Sequence, residues 1–207
     1  MVWSIDSGNP VTTRKIHRII GVILILPFLG WALTGFVFFL KPGYAGAYEI
    51  LKIKTYRLEG SPTLSPEPNW QEFRYLKTIL GTHLLVRTDT GWQQLDPLTK
   101  LPKAKPSEAD FKMLLKDAFS LNPNRYGEVA SVSDLTARTN TGVEVTLDWS
   151  TLSFQQTGND TAWIDRLYKI HYLQWTGFKT LDKAIGLVGL VLVISLTALG
   201  AGLALKR

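Results

Sequence analysis

Three histidines carry most of the chemistry that this sequence could perform: His17, His83 and His171. Imidazole can exchange a proton near neutral pH and can ligate a metal. His17 lies in the basic cluster at residues 14–18, where contact with lipid phosphate is the expected role. His171 has apolar and aromatic neighbours, which makes it the better ligand candidate. His83 follows Gly81-Thr82 at the start of a predicted strand, and we interpret it as structural.

Other reactive groupings are missing from the sequence. It has no cysteine, which excludes disulfides, thiolate metal sites and cysteine nucleophiles. It also has no glycine-rich phosphate loop, no His-x-x-x-His pair and no nucleophile elbow. Asp160, Asp165 and Asp182 are expected to be solvated or to pair with basic side chains in 166–183. An enzyme is therefore the less favoured class of protein.

Two apolar runs without a charged residue or histidine bracket the chain, at residues 19–40 and 184–205. A helix of about 20 apolar residues crosses a bilayer core of roughly 30 Å. Both runs are therefore predicted to be transmembrane helices, and the first is longer than the apolar core of a signal peptide. Because two spans return the chain to its starting side, residues 41–183 are expected to lie together on one side.

The positive charge of the chain is concentrated beside these runs. The formal net charge is +6. Arg14, Lys15 and Arg18 precede the first run, and Lys206 and Arg207 follow the second. The positive-inside pattern predicts cytoplasmic termini and, in a bacterial inner membrane, a periplasmic domain. That domain is nearly neutral, which argues against a nucleic-acid partner.

The segment between the runs predicts an α+β domain with an antiparallel sheet. Ser107 is a natural N-cap with Asp110 at the third helical position, and an apolar stripe over 111–119 continues the helix. Short alternating runs bounded by turn residues predict the strands. These strand candidates cover residues 82–87, 91–95, 129–132, 136–139, 143–149 and 152–156.

Aromatic side chains recur along one helical face after this domain, which predicts an amphipathic helix at the membrane surface over residues 163–183. The predicted interface residues are Trp163, Tyr168, Tyr172, Trp175 and Phe178. The predicted organisation is therefore a cytoplasmic segment at 1–18, a span at 19–40, the domain at 41–162, the interfacial helix at 163–183, a second span at 184–205 and a cytoplasmic tail at 206–207.

Each predicted span carries a narrow face of small residues. Gly30 and Thr34 form this face in the first span, and Ser195, Ala198 and Gly202 form it in the second. Small residues let two membrane helices approach closely. We expect these faces to pack the two spans against each other, or to pack against a partner membrane protein or a second copy of the chain.

The membrane segments resemble the PepSY-associated transmembrane family of bacteria. The resemblance rests on Ile-His-Arg-Ile-Ile-Gly at 16–21 with Leu-Thr-Gly at 33–35, and on Ile-His-Tyr at 170–172 with the glycines that follow it. The intervening domain looks like a PepSY module, a small helix on an antiparallel sheet. Residues 91–99 resemble the closing strand and Asp-x-x-Thr-Gly turn of that module, although Lys100 stands in place of the glycine.

The resemblance implies two activities found among relatives. Longer members with four spans include reductases of iron–siderophore complexes, in which membrane histidines hold b-type haem, and PepSY modules elsewhere are linked to peptidase inhibition. Carried over, the haem-ligand positions are His17 and His171. The predicted topology places these two residues on opposite faces of the membrane, roughly 30 Å apart. Two axial nitrogens on one iron lie about 4 Å apart, so one copy of the chain cannot supply both.

Three functional hypotheses remain. The favoured one is a non-enzymatic inner-membrane accessory or scaffold subunit without a cofactor, which presents its periplasmic PepSY-like domain to a larger membrane complex. The first alternative is a haem-b electron-transfer protein related to iron–siderophore reductases. The second alternative is a regulator of a periplasmic peptidase, which rests on the resemblance alone. The expected partners are the lipid bilayer and a membrane protein or second copy contacted through the spans.

Overall fold

The computed structural model describes residues 10–60 and 64–205. The predicted tail at 206–207, the first part of the predicted N-terminal segment and residues 61–63 lie outside the described residues. The chain divides into two compact units, which we call the helix unit (residues 1–42 and 163–207) and the sheet domain (residues 43–162). The helices are α1 Pro10–Leu40, α2 Tyr44–Ala47, α3 Glu108–Phe119, α4 Pro123–Tyr126, α5 Asn159–His171 and α6 Lys179–Leu205.

Two of these helices are long and apolar enough to cross a membrane. They are α1, with a mean hydropathy of 2.3, and α6, with a mean hydropathy of 2.4. They pack against each other through glycines: Gly21 faces Leu196, and Gly200 faces His17. A glycine brings two helix backbones together because it has no side chain to separate them. The chain thus has an apolar helix at each end and a sheet domain between them.

The aromatic segment before α6 differs from its prediction. Helix α5 begins at Asn159, earlier than expected, and it ends at His171. Leu173 has a φ of 55° and Gly177 a φ of 78°, so the backbone turns here instead of continuing as a helix. Asp182 accepts hydrogen bonds from both the backbone N–H and the hydroxyl of Thr176, which ties this turn to the first turn of α6. The described partner of Asp182 is therefore Thr176, whereas the sequence suggested solvent or a basic side chain.

The sheet domain contains two antiparallel sheets, where the sequence predicted one sheet. The first has the strand order β1-β2-β3 and the second the order β4-β5-β6-β7. The prediction missed β1, which pairs along its whole length with β2. The strands are β1 Glu72–Thr78, β2 Gly81–Thr88, β3 Gly91–Leu95, β4 Val129–Ser133, β5 Thr136–Thr139, β6 Glu144–Asp148 and β7 Ser153–Thr157.

Helix α3 forms the main core with the second sheet. Its N-cap is confirmed, because the Ser107 hydroxyl accepts a hydrogen bond from the backbone N–H of Asp110. The predicted apolar stripe is also confirmed: its side chains are buried in one cluster with Ala137, Val145 and Phe154 of the sheet. The first sheet has a smaller core of its own, formed by Leu84, Val86 and Leu95 with Leu64, Trp70 and Tyr75.

A buried polar network joins the two sheets. His83 on β2 is fully buried. Its Nε2 lies 2.8 Å from the hydroxyl of Thr78, and its Nδ1 lies 2.6 Å from Oε1 of Gln94. The Gln94 amide then donates to the carbonyl of Trp149, which follows β6 in the second sheet. Because Gln94 Oε1 only accepts, His83 carries its proton on Nδ1, and its surroundings fit the structural role expected from the sequence.

Burial lowers the pKa of His83 below its ordinary value of 6.5, and the nearby Lys103 charge acts in the same direction. The unfolded chain then binds a proton that the folded chain does not, so stability falls as pH drops below about 6.5. We expect the urea midpoint of the sheet domain, followed by circular dichroism of the full chain in detergent, to fall between about pH 7.5 and pH 5.5.

The variant His83→Gln provides the comparison for this pH dependence. It should lower the midpoint at pH 7.5 through loss of the network, and it should also flatten the slope with pH. His171→Gln, a histidine of the helix unit, should keep the slope. A slope that persists in His83→Gln would assign the pH dependence to another group.

Candidate functional site

His171 lies at the C-terminal end of α5, against one face of α1. The residues that surround it, which we call the His171 site, come from α1 and α5. Helix α1 contributes Trp31, Thr34 and Phe38, whose spacing of three and four residues places them on one helical face. Helix α5 contributes His171 itself and the adjacent aromatic rings. The Phe38 ring centroid lies 5.2 Å from that of His171 and 4.7 Å from that of Tyr168.

Hydrogen bonds orient the His171 ring. Its Nδ1 lies 2.8 Å from the hydroxyl of Thr34, and that hydroxyl lies 2.6 Å from the carbonyl of Gly30. A carbonyl only accepts, so the Thr34 hydroxyl donates to Gly30 and accepts from Nδ1–H of His171. The indole N–H of Trp31 donates to the His171 carbonyl at 2.6 Å. Within the described residues Nε2 makes no hydrogen bond, and in the neutral ring it carries a lone pair.

The structure shows which part of α1 His171 contacts. The sequence argument placed it at or beyond the membrane face, because its distance along the chain from the second apolar run suggested that depth. In the structure the end of α5 lies alongside α1, level with Thr34, and the depth of His171 in a membrane stays a prediction. Thr34 is itself inside the 19–40 run, about 9 Å along the helix axis from Leu40 at 1.5 Å per residue. A polar residue at this level needs a partner, which Thr34 supplies.

His17 lies far from the His171 site. Its imidazole packs over Gly200 of α6, where an added Cβ would lie 3.2 Å from Cε1 of His17. The Nδ1 of His17 is buried and has no hydrogen-bond partner among the described residues. His17 and Thr34 are separated by about 25 Å along α1. The structure therefore does not bring His17 and His171 together within one copy of the chain.

The small-residue faces of the two long helices point in different directions. An added Cβ on Gly30 would lie 3.6 Å from Ile170, so the Gly30 and Thr34 face packs against α5. On α6, Leu196 and Gly200 face α1. Ala198 is two residues from each of them, which places it about 160° around the helix from both. Ser195, Ala198 and Gly202 therefore lie away from α1, and a Cβ added to Gly202 meets open space.

The predicted interface aromatics occupy two kinds of environment. Tyr168 is half-buried on Phe38, whereas Trp163, Tyr172, Trp175 and Phe178 are exposed. Trp175 and Phe178 lie in the turn after α5, and the Trp175 indole donates to the Ile170 carbonyl. These residues thus do not form one continuous helical face, because α5 ends before the last two.

A second polar cluster, which the sequence did not reveal, lies in the sheet domain around Arg125. The guanidinium contacts Asp160 at 2.6 Å through Nη1 and Gln156 at 2.6 Å through Nη2. Gln156 in turn donates to the carbonyls of Gly46, Ala47 and Glu49. We call this set the Arg125 cluster. It lines a polar pocket of about 440 Å³.

Two glycines are needed for the close approach of these groups. A Cβ on Gly46 would lie 2.6 Å from Nη1 of Arg125, and a Cβ on Gly158 would lie 2.7 Å from Oδ1 of Asp160. Burial alone would raise the pKa of Asp160, but hydrogen bonds from Arg125 and the Thr161 backbone outweigh burial and hold that pKa below its ordinary value. Asp160 is therefore an ionised partner of Arg125, whereas the sequence suggested solvent or a nearby base.

The two clusters differ in the chemistry that they could carry out. The Arg125 cluster pairs its charges internally, which suits a structural role. The His171 site presents one imidazole nitrogen with a lone pair. Among residues 10–60 and 64–205, no three His, Asp or Glu side chains are grouped to hold a metal ion. Comparison with known proteins adds no family: no family model matches the chain, and no curated protein or solved structure matches it.

The proton position on His171 can be measured by nitrogen NMR of histidine-labelled protein in detergent. We expect the neutral ring to carry its proton on Nδ1, because Thr34 accepts that hydrogen bond. Thr34→Val removes the acceptor and should shift the equilibrium toward the Nε2–H form, which is the commoner one in water. Ser195→Val, a hydroxyl removed from α6, should leave the signal unchanged. An Nε2–H ring in the parent protein would contradict the assignment.

The Arg125 cluster should contribute strongly to the stability of the sheet domain. Arg125→Met leaves Asp160 partly buried without its partner, and we expect a loss of about 2–4 kcal/mol in the free energy of unfolding. Arg138→Met is the matched control, because Arg138 forms an exposed pair with Glu144 and should cost less than about 1 kcal/mol. Both losses are measured by urea unfolding of the full chain. Equal losses in Arg125→Met and Arg138→Met would show that the Arg125 cluster stabilises the domain no more than an exposed ion pair does.

Proposed function

We propose that this protein is a non-enzymatic accessory subunit of the bacterial inner membrane. In this proposal α1 and α6 span the membrane, the termini are cytoplasmic, and the sheet domain is a periplasmic PepSY-like module. The module is presented to a larger membrane complex, which the spans contact. The support for the topology is the basic residues that flank the apolar runs, and the support for the module is the resemblance in the sequence.

The observation that favours a partner is the orientation of the small-residue face of α6. Ser195, Ala198 and Gly202 point away from α1, the other long helix of this chain. Ala198 and Gly202 are exposed. Small residues on a membrane helix permit close packing against another helix, and within this chain α1 does not use this face. A helix of another subunit is the occupant that we propose for it.

Enlarging this face should remove the partner while leaving the fold intact. We expect the double variant Ala198→Leu with Gly202→Leu to lose the proteins that co-purify with the parent chain from native membranes in mild detergent. Thr197→Leu adds similar bulk at an exposed position on a different side of α6 and should retain them. A parent chain that purifies alone, or partners that persist in the double variant, would overturn this proposal.

The His171 site favours one alternative function. A histidine whose Nδ1–H is held by a second group and whose Nε2 is available has the arrangement typical of a metal or haem ligand. His171 could thus ligate the iron of haem b, and bound haem would supply one-electron transfer. His17 is too far away to be the second ligand in the same copy. The second nitrogen would come from another copy or from a partner protein.

A reduced-minus-oxidised absorption spectrum tests this alternative. Under the haem-binding hypothesis, the full chain expressed with ample haem shows a Soret band and an α-band, and His171→Ala loses both. His83→Gln, in the other unit, should retain them. A colourless parent protein removes the alternative and leaves the accessory-subunit proposal in place.

A further inference from the structure

Strand β4 forms an open edge of the second sheet. It pairs with β5 on one side, and no other strand of the described residues pairs with it. Its sequence, Val-Ala-Ser-Val-Ser, contains neither a charged residue nor a proline. Charges and prolines are the usual means by which proteins prevent an edge strand from pairing with another chain. The outer backbone groups of β4 are thus available to an added strand.

Two of the other three sheet edges have a backbone contact with another part of the chain. At the edge of β1, the backbone N–H of Tyr56 donates to the carbonyl of Lys77. At the edge of β3, Leu95 forms a bridge with Pro102. Strand β7, Ser-Phe-Gln-Gln-Thr, is the other edge of the second sheet, where the side chain of Gln156 binds carbonyls of residues 46–49. Strand β4 thus differs from β1 and β3 in having no such contact among the described residues, and from β7 in lining the groove described next.

A groove runs beside the start of β4, between it and the last turns of α3. Its volume is about 450 Å³. Pro123 and Val129 supply apolar surface beside the buried Phe119, and Lys112 and Lys116 supply positive charge. Lys112 makes an exposed ion pair with Glu108 one turn away, a weak pair that can exchange partners. Lys116 makes no ion pair with any described residue.

We propose that this groove and the edge of β4 together bind an extended, acidic segment of a partner protein. The segment adds to the sheet as a strand beside β4, which pairs its backbone with the open edge. One apolar side chain packs on the groove surface at Pro123 and Val129. A carboxylate meets Lys116 and Lys112. Glu128 lies at the end of the groove and repels acidic residues there. The preference for acidic residues therefore applies only to the part of the bound segment that faces α3.

The charge of the groove decides the chemistry of the occupant. Two lysine ammonium groups face a single carboxylate of the lining, that of Glu128. An acidic segment gains from both lysines, whereas a basic segment would leave them opposed by like charge. The contribution of backbone pairing does not depend on sequence, so affinity comes from the edge and selectivity comes from the lysines.

This inference deepens the proposed function and rests on it, because it names the chemistry of the partner that the sheet domain would recognise. The two can fail separately. Loss of peptide binding with retained dependence on Ala198 and Gly202 leaves the accessory subunit standing. Peptide binding without any co-purifying protein leaves the groove standing.

The test uses the full chain in nanodiscs and fluorescent synthetic peptides that alternate Val or Thr with Asp. A matched set replaces Asp by Asn. We expect the best acidic peptide to bind about tenfold tighter than its Asn counterpart, with the difference reduced by salt. N-methylation of alternate peptide nitrogens should weaken binding about tenfold or more, because it removes the donors that pair with β4.

Two protein variants locate the binding on the structure. Ala130 lies at an irregularity in the pairing of β4 with β5. Proline is tolerated at such a position, so the variant Ala130→Pro should fold. It should weaken peptide binding about tenfold. Lys112→Glu with Lys116→Glu should abolish the preference for Asp over Asn. Lys52→Glu with Arg57→Glu, exposed and outside the groove lining, should preserve it.

Two results would contradict the proposed binding of an acidic strand at β4. If no acidic peptide binds better than its Asn counterpart, the charge argument fails. Binding that is unaffected by N-methylation or by Ala130→Pro would show that no strand is added at β4, and either outcome overturns the proposal.

Discussion

The contact between Arg125 and Asp160 is the constraint on which the sheet domain depends. The first and last segments of the sheet domain lie against each other. Arg125 connects them, because it binds Asp160 near the start of α5 and also binds Gln156, whose amide donates to carbonyls at the end of α2 and just after it. The guanidinium can satisfy several acceptors at once in one plane, which a lysine in this position could not do.

The helix unit applies the same principle with a different group. A histidine beside an apolar helix is costly unless its polar atoms are bonded. Thr34 bonds the ring Nδ1 of His171, and Trp31 donates to the His171 backbone carbonyl. Because both polar groups are satisfied, the end of α5 can pack against α1. This arrangement removes Gly30 and Thr34 from the contact between α1 and α6.

Sequence reasoning succeeded where the cause is local. The N-cap of α3 depends on residues three apart, and its buried stripe depends on helical spacing, so both could be predicted. The two long apolar helices were equally accessible, because composition alone identifies them. The prediction missed β1, whose segment alternates weakly and contains the charged residues Glu72, Arg74 and Lys77. Its strand conformation comes from pairing with β2, which periodicity within the segment does not reveal.

By itself, the sequence determined the two apolar helices, the charge asymmetry at their ends, the capped helix α3 and the turn positions of most strands. These properties follow from hydrophobicity and from backbone preferences that act over a few residues. Only the tertiary structure decided that the strands form two sheets, that Asp160 pairs with Arg125 and that His171 bonds to Thr34. The last pair is 137 residues apart in the chain. Such contacts depend on how distant elements pack, because side-chain hydrogen bonds act only over a few ångströms.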